Sequence, residues 1–134
     1  MKQISIIFPN QLFEKSPILD FKCEILMLED SLFWGNDKKY KCINHINKII
    51  FLRSAMYSYR EYLQKSGFKV IYGFNEKNFD TSDYLSKYRV ENYDYVNIIE
   101  PHDYLLSRRL NNFLKKNNIN VNILNSPMFL TKDE

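Results

Sequence analysis

The sequence predicts a doubly wound α/β fold built around a parallel sheet of five strands. Five short, β-branched apolar runs recur along the 134 residues, and segments with helical periodicity lie between them. The length and the 45% apolar content suit a single domain, residues 1–134, with its own core. Strands that alternate with helices pair in parallel through right-handed crossovers, which predicts a Rossmann-like sheet. If the first strand is central, the strand order is 3-2-1-4-5.

The five strands are placed by apolar runs that stop at polar or turn-forming residues. The first run ends at Pro9-Asn10, the second at the acidic pair Glu29-Asp30 and the fourth at Glu100-Pro101. The predicted strands cover residues 4–8, 23–28, 68–72, 95–99 and 119–124.

Three helices are expected between these strands. Apolar positions in residues 44–65 recur about every 3.6 residues, which is typical of a long amphipathic helix, and Gly67 follows at a position that favours glycine. Thr81-Ser82-Asp83 is predicted to cap a short helix. Asp103 is predicted to cap a further helix, which Asn117-Asn118 would close.

Composition excludes several classes of protein. The three glycines form no glycine-rich phosphate motif, so ordinary dinucleotide dehydrogenases and P-loop NTPases fit poorly. Cys23 and Cys42 are far apart and are expected to be buried thiols, not cluster ligands. The apolar runs are too short to span a membrane and no signal segment is seen, so we expect a cytoplasmic protein without membrane contact. The net charge of +3 permits contact with an anionic partner but does not indicate which class of molecule the protein binds.

Polar residues at strand ends form the predicted binding site. Doubly wound sheets bind ligands beyond the carboxyl ends of their strands, where the strand order reverses, here between the first and fourth strands. Amide side chains there offer donors and acceptors for a heteroaromatic edge or for sugar hydroxyls. The alternative is that these residues form only turns and solvated strand ends. The predicted site residues are Asn10, Gln11, Glu29, Asp30, Glu100 and Pro101.

Two further predictions concern this site and the rest of the chain. Replacing Glu29 by alanine is expected to weaken ligand binding with little loss of stability, as for a surface residue. His45 and Lys48 are one helical turn apart, but no nucleophile or metal-ligand set accompanies them, so we predict no catalytic residue and no metal ligand. The basic pair Arg108-Arg109 is expected on a solvated helix face, and Trp34 in a packed loop after the second strand.

Short motifs across the chain, taken in order, carry a resemblance to a known family. They are Gln11-Leu12, Glu29, His45-x-x-Lys48-Ile49, Ala55-Met56, Glu100-Pro101 and Ser126-Pro127-x-Phe129-Leu130. In this order and spacing they resemble the amino-terminal domain of the deoxyribodipyrimidine photolyase-related proteins, the iron–sulfur branch of the bacterial cryptochromes and photolyases. The resemblance spans nearly the whole chain.

This resemblance implies a domain that packs against a larger helical domain, which these 134 residues do not include and which holds FAD and a [4Fe–4S] cluster. Proteins of the family use light to repair pyrimidine photoproducts in DNA, and DNA contact is expected only through the parent protein. In relatives the amino-terminal domain can hold a ribityllumazine antenna, whose contacts match Gln11 and Glu29. The expected function is therefore a non-catalytic antenna or scaffold domain of a photolyase-like flavoprotein.

Two other functions stay open from the sequence. A stand-alone nucleotide-binding α/β enzyme would use His45 and Lys48 as catalytic groups and Glu29 as a base or metal ligand. A pure interaction module would leave the crevice empty and dock a partner on one face of the sheet or of a helix.

Overall fold

Five parallel strands form one central sheet. They are β1 (Gln3–Ile7), β2 (Glu24–Leu28), β3 (Val70–Gly73), β4 (Tyr95–Ile99) and β5 (Asn120–Leu124). The computed structural model describes residues 2–13, 16–39, 46–101 and 103–125. The sheet order β3-β2-β1-β4-β5 and the parallel pairing confirm the predicted fold class. Each strand lies within two residues of its predicted position.

Helices connect the strands and cover the sheet. They are α1 (Ser31–Trp34), α2 (Ile46–Lys65), α3 (Thr81–Lys87) and α4 (Tyr104–Lys116), with 3-10 turns at Pro17–Phe21 and Val90–Asn92. None of the helices in the described ranges combines the length and apolar character needed to cross a bilayer.

The predicted end of the long helix at Gly67 is confirmed. Gly67 adopts φ +96°, a region that side chains with a Cβ disfavour. Its N–H donates to the Gln64 carbonyl at 3.1 Å, and the Phe68 N–H donates to the Leu63 carbonyl at 3.0 Å. These two bonds are those of a Schellman motif, which satisfies the last carbonyls of α2.

Three local predictions need correction. Trp34 lies in the short helix α1, not in a loop, because Asp30 caps the Leu32 N–H and Gly35 ends the turn with φ 81°. The cap of α3 is Asp80, one residue before the predicted segment; it forms a capping box with Asp83. Cys23 is only half-buried, with its sulfur 3.2 Å from the Ser5 hydroxyl. Cys42, His45 and the 126–130 motif lie outside the described residues.

Side chains on the two faces of the sheet form two cores. On one face, alternate residues of β1 such as Ile4 and Ile6 pack with α3 and α4; the opposite face packs against α2. The central strands are therefore buried on both sides, as parallel sheets require. This packing leaves the carboxyl ends of the strands, with the residues that follow them, along a single edge.

One row of polar side chains crosses the face of the sheet that α2 partly covers. Ser5, Asn97 and Asn122 stand side by side in the registers of β1, β4 and β5. Asn122 Nδ2 donates to Asn97 Oδ1 at 2.8 Å, and Asn97 Nδ2 donates to Ser5 Oγ at 3.3 Å. Ser5 and Asn97 are fully buried, so these bonds replace their lost contacts with water.

Candidate functional site

The carboxyl ends of β1 and β4 are joined by the side chain of Gln11. Its Nε2 donates to the Ile99 carbonyl at 3.0 Å, and its Oε1 accepts from the Phe8 N–H at 3.3 Å. Gln11 is almost fully buried, whereas Asn10 beside it and Glu100 beside Ile99 are exposed. The Gln11 bond therefore joins the segment that carries Asn10 to the segment that carries Glu100, at the rim between the two strands.

Glu29, directly after β2, is the centre of a buried hydrogen-bond cluster. Arg53 of α2 donates twice, from Nε to Oε2 at 2.9 Å and from Nη2 to Oε1 at 2.5 Å. The Asn75 N–H donates to Oε1 at 2.8 Å, and the Tyr72 hydroxyl donates to Oε2. Each carboxylate oxygen thus accepts two hydrogen bonds, and the side chain is fully buried. We call Glu29, Arg53, Tyr72 and Asn75 the Glu29 cluster.

Charges within the Glu29 cluster shift the pKa values of its donors in the expected directions. The bonds to Glu29 raise the pKa of Arg53 further above its ordinary value. Burial raises the pKa of the Tyr72 hydroxyl, and the neighbouring Glu29 carboxylate raises it more. The cluster is therefore an ionic pair of Glu29 and Arg53 with a neutral tyrosine that donates its proton.

Two aromatic rings flank the Arg53 guanidinium. Its central carbon lies 5.8 Å from the ring of Trp34 and 5.9 Å from the ring of Phe74. The Arg53 side chain is 39% exposed. Trp34 is buried and Phe74 is 48% exposed. The ion pair, together with Phe74, consequently forms part of the surface at this end of the sheet.

Asp30 is a buried carboxylate with one unused oxygen. Its Oδ1 accepts from the Leu32 N–H at 3.0 Å, but its Oδ2 has no hydrogen-bond partner within the described residues. Burial raises the pKa of Asp30 to about 6, against the effects of the Leu32 bond and of the nearby Thr81 hydroxyl, both of which lower it. At neutral pH this carboxylate is charged at a cost in free energy.

A second buried ion pair lies next to Asp30. Arg109 of α4 donates from Nη1 to Asp37 Oδ1 at 2.7 Å and from Nη2 to Asp37 Oδ2 at 2.9 Å. Asp37 is fully buried, and the Arg109 side chain is 13% exposed. The solvated position predicted for Arg109 is therefore wrong, whereas Arg108 is exposed as expected.

The six predicted site residues fall into two groups along this edge. Asn10, Gln11, Glu100 and Pro101 lie at the ends of β1 and β4, and Glu29 and Asp30 lie at the end of β2. Gln11, Glu29 and Asp30 are buried, Pro101 is half-buried, and Asn10 and Glu100 are exposed. Whether any of them contacts a ligand stays a prediction.

The sequence did not identify Arg53, Tyr72 and Asn75 as neighbours of Glu29. Arg53 is 24 residues away along the chain and Asn75 is 46. The only signal for Arg53 was an arginine in the first half of an amphipathic helix, which solvated helices also show. Because Glu29 is not a surface residue, the expected harmlessness of its replacement by alanine does not hold.

An open cleft of about 560 Å³ lies at the amino end of β2, far from this edge. It is lined by Lys22, Cys23, Glu24 and residues 66–69. None of these is a predicted site residue.

The residues proposed for a nucleotide-binding enzyme do not come together in the described part of the chain. Lys48 is exposed on α2, and Glu29 is enclosed by its own cluster. His45 lies outside the described residues. In those ranges no group of three or more His, Cys, Asp or Glu side chains is placed to hold a metal ion.

Comparison with known proteins shows which family the chain belongs to. A family model described as deoxyribodipyrimidine photo-lyase-related protein matches residues 5–134. The chain belongs to this family. The photolyase-related chain is also 37% identical over 136 residues to Uncharacterized protein R852 of Acanthamoeba polyphaga mimivirus, an alignment that covers 97% of this chain and 67% of the viral protein. The resemblance stated from the sequence motifs is confirmed for the family as a whole. Assignment of the photolyase-related chain to the iron–sulfur branch stays a prediction.

Proposed function

We propose that this chain forms the non-catalytic amino-terminal domain of a photolyase-like flavoprotein. It would serve as a scaffold and as the holder of an antenna chromophore. The observation that carries the proposal is the family match over residues 5–134, which includes every strand end of the candidate site.

A ribityllumazine is the candidate chromophore for the rim between β1 and β4. The Asn10 amide offers a donor and an acceptor to a heteroaromatic edge, and the Glu100 carboxylate accepts from ribityl hydroxyls. Both side chains are exposed, and the Gln11–Ile99 hydrogen bond keeps their backbones together. When bound, the chromophore would absorb light and pass the excitation to a flavin in the parent protein.

Gln11 and Glu29 would act as supports of this rim and not as its hydrogen-bonding surface. Glu29 already accepts four hydrogen bonds, so a ligand would have to displace Arg53, Tyr72 or Asn75 to reach it. Gln11 is 3% exposed and bonded to the main chain at both ends of its amide. Their burial fixes the shape of the edge that Asn10 and Glu100 line.

The experiment is a titration of the purified chain with 6,7-dimethyl-8-ribityllumazine, followed by fluorescence anisotropy. Asn10→Ala and Glu100→Gln are expected to weaken binding about tenfold each, the loss of one or two hydrogen bonds to a charged or amide group. Asn92→Ala and Glu91→Gln, exposed positions before β4, are matched controls and should change nothing. Absence of binding to the lumazine, to FMN and to a folate would remove the antenna role.

The scaffold role has a separate test. The proposed partner is a helical FAD-binding domain, with DNA contacted through the parent protein. The chain should co-elute with the helical domain of a photolyase-related protein in size-exclusion chromatography. Independent elution at all concentrations would refute this role while leaving the chromophore result untouched.

A further inference from the structure

The two outer strands of the sheet, β3 and β5, differ in how well they are protected from pairing with another chain. β3 has four residues and follows Lys69, whose side chain is 74% exposed. β5 has five residues, none of them charged and none of them proline, and no further strand lies beyond it in the described ranges. Short strands, lysine and proline are the usual protection of a sheet edge. The edge at β5 therefore lacks this protection.

Two residues of β5 direct their backbone groups away from the sheet. The Leu124 carbonyl accepts from the Glu100 N–H at 2.7 Å, so Leu124 directs its backbone groups toward β4. Successive residues of a strand direct these groups to opposite sides. Val121 and Ile123 therefore direct theirs outward, and these N–H and C=O groups are a template for pairing with a further strand.

Side chains on both faces of β5 are also available to a further strand. Ile123 is 51% exposed, and it lies on the same face as Val121, which packs against the core under α3 and α4. On the other face, Asn122 donates to Asn97, and its Oδ1 has no partner within the described residues. The Asn122 amide thus keeps one N–H and its carbonyl oxygen for another partner.

A second copy of β5 matches all of these groups in one arrangement. If two copies pair antiparallel about a two-fold axis at Asn122, Val121 of each copy lies opposite Ile123 of the other. The outward backbone groups of these residues then form four hydrogen bonds, and the exposed Ile123 side chain contacts Val121. The two Asn122 residues face each other as a pair without backbone bonds, in which side chains are closest, so their amides can donate to one another.

We propose that this chain forms a two-fold symmetric dimer by antiparallel pairing of β5 with β5 of a second copy. Two sheets of five strands become one sheet of ten, and the row of Ser5, Asn97 and Asn122 continues into the same row of the second copy. Because the interface is small, we expect a weak dimer with a Kd of about 10–100 μM. It uses neither the rim between β1 and β4 nor the Glu29 cluster, so the inference does not depend on the proposed function.

Sedimentation velocity of the full chain, from about 1 to about 500 μM, measures the association. Ile123→Lys should sediment as a monomer at every concentration, because a lysine on an outer strand opposes pairing. Phe51→Lys is the matched control, since Phe51 is 71% exposed on α2 and receives the same charge away from β5. It should leave the Kd within about twofold.

Disulfide cross-linking tests the register, in a chain that carries Cys23→Ser and Cys42→Ser. Asn122→Cys should form an intermolecular disulfide under mild oxidation, because the two Cα atoms at this position would lie about 4.5 Å apart. Asn120→Cys is the matched control on the same face of β5, since its two copies would lie about 13 Å apart along the strands and should not cross-link.

A second pair of variants keeps this test valid if Asn122→Cys, which loses its bond to Asn97, does not fold. In the same background, Val121→Cys chains are mixed with Ile123→Cys chains. The mixture should form disulfides faster than either variant alone, because these two positions face each other only across the interface.

Three results would overturn the proposal. The first is sedimentation of the unmodified chain as a monomer up to the highest concentration. The second is an equal loss of association in Ile123→Lys and Phe51→Lys, which would show that exposed apolar side chains associate without a defined interface. The third is cross-linking of Asn120→Cys as fast as that of Asn122→Cys, which would exclude a two-fold axis at Asn122.

Discussion

Arg53 of α2 and Glu29 after β2 form a two-point ion pair whose carboxylate is fully buried and whose guanidinium reaches the surface. The pair connects the helix on one face of the sheet to the carboxyl edge, where the predicted site residues follow the strand ends. Its geometry decides how the edge responds to mutation, because a buried carboxylate that loses its cation keeps its desolvation cost.

Replacing Arg53 by methionine should therefore destabilise the fold. Loss of one partner of a buried pair costs about 3–5 kcal/mol, and we expect the lower end because Arg53 is 39% exposed and Glu29 keeps its bonds from Tyr72 and Asn75. Urea unfolding monitored by circular dichroism measures the change. Lys69→Met breaks the exposed pair with Glu24 and should cost less than about 1 kcal/mol. If the two variants lost the same free energy of unfolding, the burial of Glu29 would add nothing to the cost of removing its cation.

Asp30 should make stability depend on pH. Its pKa is raised from 3.8 to about 6 in the folded chain, so the folded state holds the proton more tightly than the unfolded state. The stabilisation is fully present below about pH 4 and is lost as pH rises through about 6, an amount of about 2–3 kcal/mol.

Asp30→Asn isolates this effect, because asparagine caps a helix about as well as aspartate. At pH 8 the free energy of unfolding of the variant should be higher than that of the wild type. This difference between the two proteins should become smaller by about 2–3 kcal/mol as the pH drops to 4. Urea titrations across this range measure it. A difference independent of pH would mean that Asp30 titrates normally.

Gly73 should not tolerate a side chain. A Cβ there would lie 2.6 Å from Leu28 Cδ2 and 3.0 Å from Tyr88 Cε2, so Gly73→Ala is expected to cost about 1–3 kcal/mol. Leu28→Ala removes the closer of these two contacts, so in that background the cost of Gly73→Ala should be smaller. Gly67→Ala, with open space but φ +96°, should cost about 1 kcal/mol in either background. Thermal unfolding of Gly73→Ala and of Gly67→Ala, each with and without Leu28→Ala, measures these costs. Only a cost that comes from side-chain crowding should depend on Leu28.

The polar row of Ser5, Asn97 and Asn122 should show strong coupling between its asparagines. Asn97→Val leaves Asn122 without its acceptor, and Asn122→Val leaves the buried Asn97 Oδ1 without its donor, so each change should cost about 1–3 kcal/mol. The double variant should cost clearly less than the sum of the two, by about 1 kcal/mol or more. A double-mutant cycle in urea measures the coupling, and additive costs would contradict it.

The strands and their order were predictable because each strand is a short apolar run with a clear stop. Residues 95–99 are an example, since the run ends at Glu100-Pro101 and the observed strand β4 has these limits. The end of α2 was predictable because only glycine suits the conformation at Gly67. These features depend on neighbours in the sequence.

The interior of the candidate site was not predictable in the same way. Glu29 follows a strand and resembles a ligand contact, but its partners Arg53 and Asn75 come from other elements of the fold. The burial of Arg109 could not be predicted for the same reason, because the buried Asp37 that it binds is 72 residues away in the sequence. A single sequence indicates the edge on which polar residues gather but not which of them satisfy one another.

The row of Ser5, Asn97 and Asn122 has a consequence for how this chain can diverge. A change of Asn97 alone leaves the half-buried Asn122 amide on the edge strand without its acceptor, whereas a joint change of Asn97 and Asn122 to apolar residues leaves neither amide unpaired. Among descendants of this chain the two asparagines should therefore be inherited or replaced as a pair. Natural variants that keep only one of them should be rare.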